Sequence, residues 1–160
     1  MALPGWLDAV DIRITTWMAQ HAVRLTRISL GIVFLWFGAI KLVPGWSPAE
    51  ALATRTISEL TFGVVPPAVS LPVLAAWEML IGLGLLSGRF LRATILLLGL
   101  QMAGTLTPLV LFPRETFVVV PFAPTLEGQY IIKNLVIISA AIVIGATVRG
   151  GQLLAKPPRP

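Results

Sequence analysis

Thirteen consecutive residues without a charge separate Arg27 from Lys41, inside the stretch RLTRISLGIVFLWFGAIKLVP. As a helix, the run with its two basic ends measures roughly 25 Å at about 1.5 Å per residue. That is a little short of a bilayer core of ~30 Å, a gap that long basic side chains can close by reaching to the headgroups. Arg27, Gly31, Phe34, Gly38 and Lys41 recur at spacings of four, three, four and three, which puts them on one helical face. A face that meets only lipid needs no glycines, whereas one that meets other helices uses small residues to let backbones approach. The pattern predicts the inward face of a first membrane span, with a cation at each end.

Three further apolar runs follow. They are expected at about 69–88, 91–112 and 129–148, with the first span at about 22–43. Only 12% of the 160 residues are charged, and the mean hydropathy is +0.89, whereas soluble domains carry about 25% charged residues. The expected fold is all-α: an integral membrane up-down four-helix bundle, residues 22–148, in one domain. Residues 1–21 place Trp6, Val10, Ile14 and Trp17 at helical spacing with charges between. They predict a separate N-terminal amphipathic helix lying in the membrane interface, or else packed on a partner. Residues 149–160 form a basic, proline-rich tail, expected to be disordered or to dock on a partner. No basic n-region with a small-residue cleavage site opens the chain, so no cleaved signal peptide is expected. The chain has no cysteine and one histidine, His21, which argues against thiol redox chemistry and a thiolate metal site.

Between the spans, Ser47-Pro48-Ala49-Glu50 resembles a capping box with proline at the first helical position. It predicts a short surface helix over about 48–61, with Leu52, Ile57 and Leu60 on its apolar side. Pro72 is expected in the first turn of the second span, where a missing N–H is tolerated. Pro108 is expected to bend the end of the third span and Pro113 to end it. TFVVV would suggest a strand in a soluble protein, but the proline-broken segment 114–128 is read as a loop pressed on the outer end of the bundle. With both termini on one side, Arg13, Arg24, Arg27, Arg89, Arg92, Arg149, Lys156 and Arg159 fall on that side, against Lys41, Arg55, Arg114 and Lys133 on the other. Eight against four predicts cytoplasmic termini. The net charge of +5 flanks apolar runs, so it is read as topology and not as a nucleic-acid footprint.

Glu78 is the one acidic residue inside an apolar run, roughly 13 Å down its helix. An ionised group at that depth costs several kcal/mol or more unless paired or hydrated. Lys41, Gln101, Thr105, Tyr130, Lys133 and Asn134 are expected at similar depth, so these residues are predicted to converge on Glu78. Two readings stay open. Glu78 and one lysine form a buried clasp that fixes helix register, or the group lines a polar pocket with two cations and one anion, suited to a ligand with acceptor oxygens such as a quinone, an anionic small molecule or a lipid headgroup. Trp36, Trp46 and Trp77 are read as core or interface packing, Met79 and Met102 as core, and His21 as interfacial.

The series Arg27-x3-Gly31-x2-Phe34-x3-Gly38-x2-Lys41, the mid-span Glu78 followed by Arg89 and Arg92, and Gly128-Gln129-Tyr130-x2-Lys133-Asn134 opening the last span together resemble the DoxX family of small four-helix bacterial membrane proteins over about residues 24–148. The resemblance implies the up-down bundle, a place in the bacterial inner membrane and an association with quinone-linked oxidoreduction. One branch resembles a membrane subunit of thiosulfate:quinone oxidoreductase, and others associate with redox-defence or metal-related partners. Two functions of different class are therefore expected. The first is a quinone- or lipid-binding membrane subunit of a redox assembly, with ligand residues Lys41, Glu78, Gln101, Thr105, Tyr130, Lys133 and Asn134. The second is a non-catalytic membrane anchor or accessory subunit of a larger complex, with a homo-oligomer as a further arrangement. No flavin, haem or iron–sulfur motif is present, so electrons would come from a partner or a freely bound cofactor. A small transporter is a third and weaker reading, because the spans are unbroken.

Overall fold

The first span does not begin at residue 22. In a computed structural model that describes residues 5–155, helix α1 runs unbroken from Gly5 to Ile40. The expected boundary near residue 21 carries MAQHAVR, a run of helix-compatible residues with neither proline nor glycine, so nothing there ends a helix. The amphipathic start and the first span are one rod of about 54 Å, longer than a bilayer core of ~30 Å. His21 stacks on Trp17 with ring centroids 4.9 Å apart, and its Nδ1 lies 2.9 Å from the Trp17 carbonyl oxygen.

Beyond α1 come α2 (Glu50–Leu60), α3 (Pro67–Ser87), α4 (Leu91–Leu106), the short α5 (Pro108–Leu111) and α6 (Pro113–Thr116), a two-stranded antiparallel ribbon of β1 (Phe117–Val119) and β2 (Ala123–Pro124), and α7 (Leu126–Thr147). Four of these segments are long and apolar enough to cross a membrane: Trp6–Ile40, Pro67–Ser87, Leu91–Leu111 and Leu126–Thr147. Their outward residues are large and apolar, among them Trp36 and Phe37 on α1, Leu80 and Leu83 on α3, Leu96 and Leu100 on α4, and Leu135, Val136 and Ile142 on α7. In water such surfaces would associate; against lipid tails they are at home, as expected of a multi-pass membrane protein.

Each span contributes to one core, built from Phe34, Ile81, Leu85, Leu98, Met102, Ala141 and Ile144. Trp77 packs beside it and donates its indole N–H to the Leu97 carbonyl at 3.0 Å. The predicted stripe on α1 faces α3: Gly31, Phe34, Gly38 and Lys41 are buried. A methyl group at Gly82 of α3 would lie 2.6 Å from the Leu35 amide nitrogen and 2.9 Å from the Gly31 carbonyl oxygen. Side chains at these positions would hold the two backbones apart, so the glycines set the α1–α3 distance.

Several local expectations change. Ser47 does not cap α2: Ala49 is the N-cap, no side chain caps the helix, and the Glu50 carboxylate instead accepts from the Gly45 amide at 3.1 Å. The inner side of α2 centres on buried Thr56, with Leu60 exposed. α3 starts at Pro67, so Pro72 lies inside the helix and not in its first turn. α4 gives way to α5 at Thr107–Pro108, and Pro113 follows α5, in line with the expected proline bend. TFVVV does contribute a strand, because Phe117–Val119 finds a partner in Ala123–Pro124 across a tight reversal. α7 begins three residues early. Thr125 caps it, its hydroxyl oxygen accepting from the Gly128 amide at 3.2 Å. The expected disorder of the tail falls partly on residues 156–160, outside the described residues; Gly151–Ala155 adopts no regular structure.

Candidate functional site

Lys41 sits just past the end of α1, on the buried stripe, and is itself buried. Its ammonium donates to Glu78 Oε2 at 2.7 Å and to the Phe37 carbonyl at 3.2 Å. Glu78 is only 8% exposed and Lys41 9%, so the pair is shielded from solvent by its own bundle. The second carboxylate oxygen, Oε1, accepts from Gln101 Nε2 of α4 at 2.8 Å. Three helical segments thus meet at one carboxylate. One turn further along α4, Thr105 turns its hydroxyl back onto the Gln101 carbonyl at 2.8 Å. It supports the helix and does not reach Glu78.

Both ligands of Glu78 leave one hydrogen-bonding group unused. Gln101 must present its N–H to the carboxylate, which fixes its amide and leaves Oε1 buried without a partner. The Lys41 ammonium has three donors, of which two are used. Lys41 also lines a groove of about 590 Å³ between α1, α2 and α3. Ser47, Glu50, Thr54, Ala68 and Pro72 are among its walls. Because Pro72 has no N–H, the Ala68 carbonyl lacks the helical donor four residues on. The groove therefore offers one cationic donor, Lys41, and one carboxylate, Glu50, which accepts from the Gly45 amide, together with hydroxyl and carbonyl oxygens, in a lining that is otherwise rich in proline and apolar residues.

Not all of the expected residues gather here. Lys133 is exposed on α7, with its ammonium 5.0 Å from the ring centroid of Tyr130, and Tyr130 is itself 62% exposed. Both leave the proposed cluster. Asn134 is half-buried and makes no side-chain hydrogen bond among the described residues. The reason lies in the helix phase: α7 buries Gly128, Ile131, Ala141 and Ile144, and Lys133 is about 200° round the helix from Ile131 at ~100° per residue. The site has one lysine where two were expected. Among the described residues no group of three or more His, Asp or Glu side chains could hold a metal ion.

At the opposite end of the stripe, Arg27 also reaches α3. Its Nη1 donates to the Leu85 carbonyl at 2.5 Å, satisfying an acceptor that the end of α3 leaves without a helical donor. Gly88 closes α3 in the left-handed region, at φ 69°, and a side chain there would collide with the Arg27 guanidinium. The two cations that bracket the first span in sequence thus both bind α3, one as an ion pair and one as a helix cap. The stripe spacing announced the shared face; the Arg27 cap and the groove behind Lys41 carried no recognisable sequence signal. Comparison with protein-family models, with curated proteins and with solved structures finds no match to this chain.

Proposed function

We propose that the chain is a DoxX-like bacterial inner-membrane protein whose four spans run alternately up and down with cytoplasmic termini, and that it binds a quinone or similar lipophilic, oxygen-bearing ligand in the groove beside Lys41. The observation that carries this reading is the double role of Lys41, which lines the groove and is bonded to buried Glu78 at 2.7 Å. The free ammonium donor would bind a ligand carbonyl, and the charge would stabilise an anionic reduced oxygen. Glu78 would exchange the proton through Lys41, with Gln101 fixing the carboxylate. Electrons would come from a partner subunit or a bound cofactor. The three-residue link between α3 and α4 and the excess of arginine on the terminal side support the topology.

The test is binding of a water-soluble quinone analogue to the protein in lipid nanodiscs, followed by quenching of tryptophan fluorescence. Trp46 adjoins the groove-lining residue Ser47. Lys41→Met should weaken binding at least tenfold, and Lys133→Gln should leave it unchanged. Equal affinity in wild type and Lys41→Met, or no saturable quenching, would refute the reading. A membrane-anchor function is the second reading, favoured by the closed, buried geometry of the Lys41–Glu78 pair and by the length of α1 beyond its contact with α3. Co-purification with and without residues 149–160 separates them: partner loss on truncation, with groove variants silent, supports the anchor.

A further inference from the structure

Among the described residues, the end of the bundle away from Glu78 carries a concentration of positive charge with no Asp or Glu paired to it. Arg24 and Arg27 lie on α1, Arg89 in the α3–α4 link, Arg92 in the first turn of α4, and Arg149 just past α7. No Asp or Glu occurs in residues 18–31, 84–93 or 144–152. The nearest in the chain, Asp11 and Glu78, are about 20 Å and 15 Å away along their helices. Arg27 is committed to capping α3. Arg24, Arg89, Arg92 and Arg149 are exposed and make no side-chain hydrogen bond or ion pair among the described residues.

A cleft of about 510 Å³ opens at this end, lined by Gly88, Phe90, Leu91, Arg92, Thr147 and Val148. It lies where the α3–α4 link meets the last turn of α7. Phe90 is 85% exposed and is held in the left-handed region at φ 55°, a conformation uncommon for a bulky residue. An exposed aromatic between two arginines, at the rim of four apolar helices, suits the boundary between acyl chains and headgroups.

We propose that this cleft holds the phosphate headgroup of an anionic membrane lipid. Arg92 of the lining, joined by Arg89 and Arg149, which adjoin the lining residues Phe90 and Val148 in the chain, would pair with the phosphate, and Phe90 would lie among the first carbons of the acyl chains. Guanidinium groups suit this ligand because their planar fork donates two parallel N–H bonds to phosphate oxygens. The ligand also relieves the mutual repulsion of the cations, and the assembly matches the basic interhelical pockets that take lipid phosphates. The commitment to a lipid over a free anion rests on Phe90 and on the apolar helix surfaces that lead away from the cleft. The site lies at the other end of α3 from Glu78 and is independent of the quinone reading.

The experiment uses the full chain in neutral maltoside micelles, with dioctanoyl phosphatidylglycerol, dioctanoyl phosphatidylcholine and inorganic phosphate as probes. Bound lipid is counted by native mass spectrometry, and thermal stability is followed in parallel. Phosphatidylglycerol should bind at least fivefold more tightly than phosphatidylcholine. Arg89→Gln/Arg92→Gln should abolish that preference, whereas Arg114→Gln, at the opposite end, should keep it. All three arginines are exposed, so the variants should melt like wild type in phosphatidylcholine. Equal binding of the two lipids, equal loss in the Arg114→Gln control, or displacement by millimolar inorganic phosphate would each overturn the proposal.

Discussion

Replacing Lys41 by methionine is the perturbation that bears most directly on the site. The stem volume is nearly kept and the ammonium is removed. Glu78 then loses its 2.7 Å partner and keeps only the neutral Gln101 bond at 2.8 Å. Removing one member of a buried ion pair typically costs about 3–5 kcal/mol, because the remaining charge stays desolvated. Losing the Gln101 bond instead leaves the ion pair intact; interhelical hydrogen bonds in membranes average only about 0.6 kcal/mol. Lys41→Met should therefore destabilise by roughly 3 kcal/mol, and Gln101→Leu by about 1 kcal/mol or less. Lys41→Met/Glu78→Leu should recover most of the loss, since a buried pair exchanged for apolar residues is often neutral. Unfolding by SDS titration in mixed micelles measures all three. If Gln101→Leu costs as much as Lys41→Met, or if the double substitution is additive, the pair is not the shielded, coupled contact described above.

Gly82→Ala should separate α1 from α3, since its methyl meets backbone atoms of Leu35 and Gly31. A loss of about 1–3 kcal/mol is expected from overpacking, whereas Gly99→Ala, with nothing within 4 Å, should be neutral or slightly stabilising in the same titration. Arg27→Met should lower stability by about 1–2 kcal/mol through the uncapped Leu85 carbonyl, and hydrogen exchange should show fraying confined to the last turn of α3. Arg55 pairs with Glu115 across the α2–α6 contact and also stacks on Phe112, 4.3 Å from the ring centroid. Both charged side chains are about half exposed, so Glu115→Gln should cost less than about 1 kcal/mol, and Arg55→Ala more, because it also removes the stack.

Much of the fold is legible in the chain because its signals are local. Long apolar runs interrupted by few charges, Glu78 and Lys133 among them, mark the spans, and the prolines at 66–67, 108 and 113 mark where helices start, bend or stop. The α1 stripe is readable for the same reason: glycines and cations at spacings of four and three have few uses other than a close helix contact. The Thr125 cap was readable too, as a hydroxyl residue followed by Glu127 in a first turn, although the expected start of the helix was placed beyond it.

Lys133 marks where that kind of reading stops. A membrane helix that is apolar on every side has no amphipathic phase, so a polar residue near its start can point to the bundle or to the outside without changing the sequence pattern. Only the packing of Ile131, Ala141 and Ile144 against the other spans fixes the rotation of α7 and turns Lys133 outward. The same holds for the groove, which exists because α2 folds back over the junction of α1 and α3. The number and order of the apolar spans and the place of Glu78 along its helix follow from the sequence alone, since hydropathy and helical rise are properties of each segment by itself; the start of the first span does not, because α1 runs on unbroken from Gly5. Which lysine meets Glu78, and the cleft beside Arg92 at the far end, belong to the tertiary structure, because rotation and contact between helices are settled only when all four pack together.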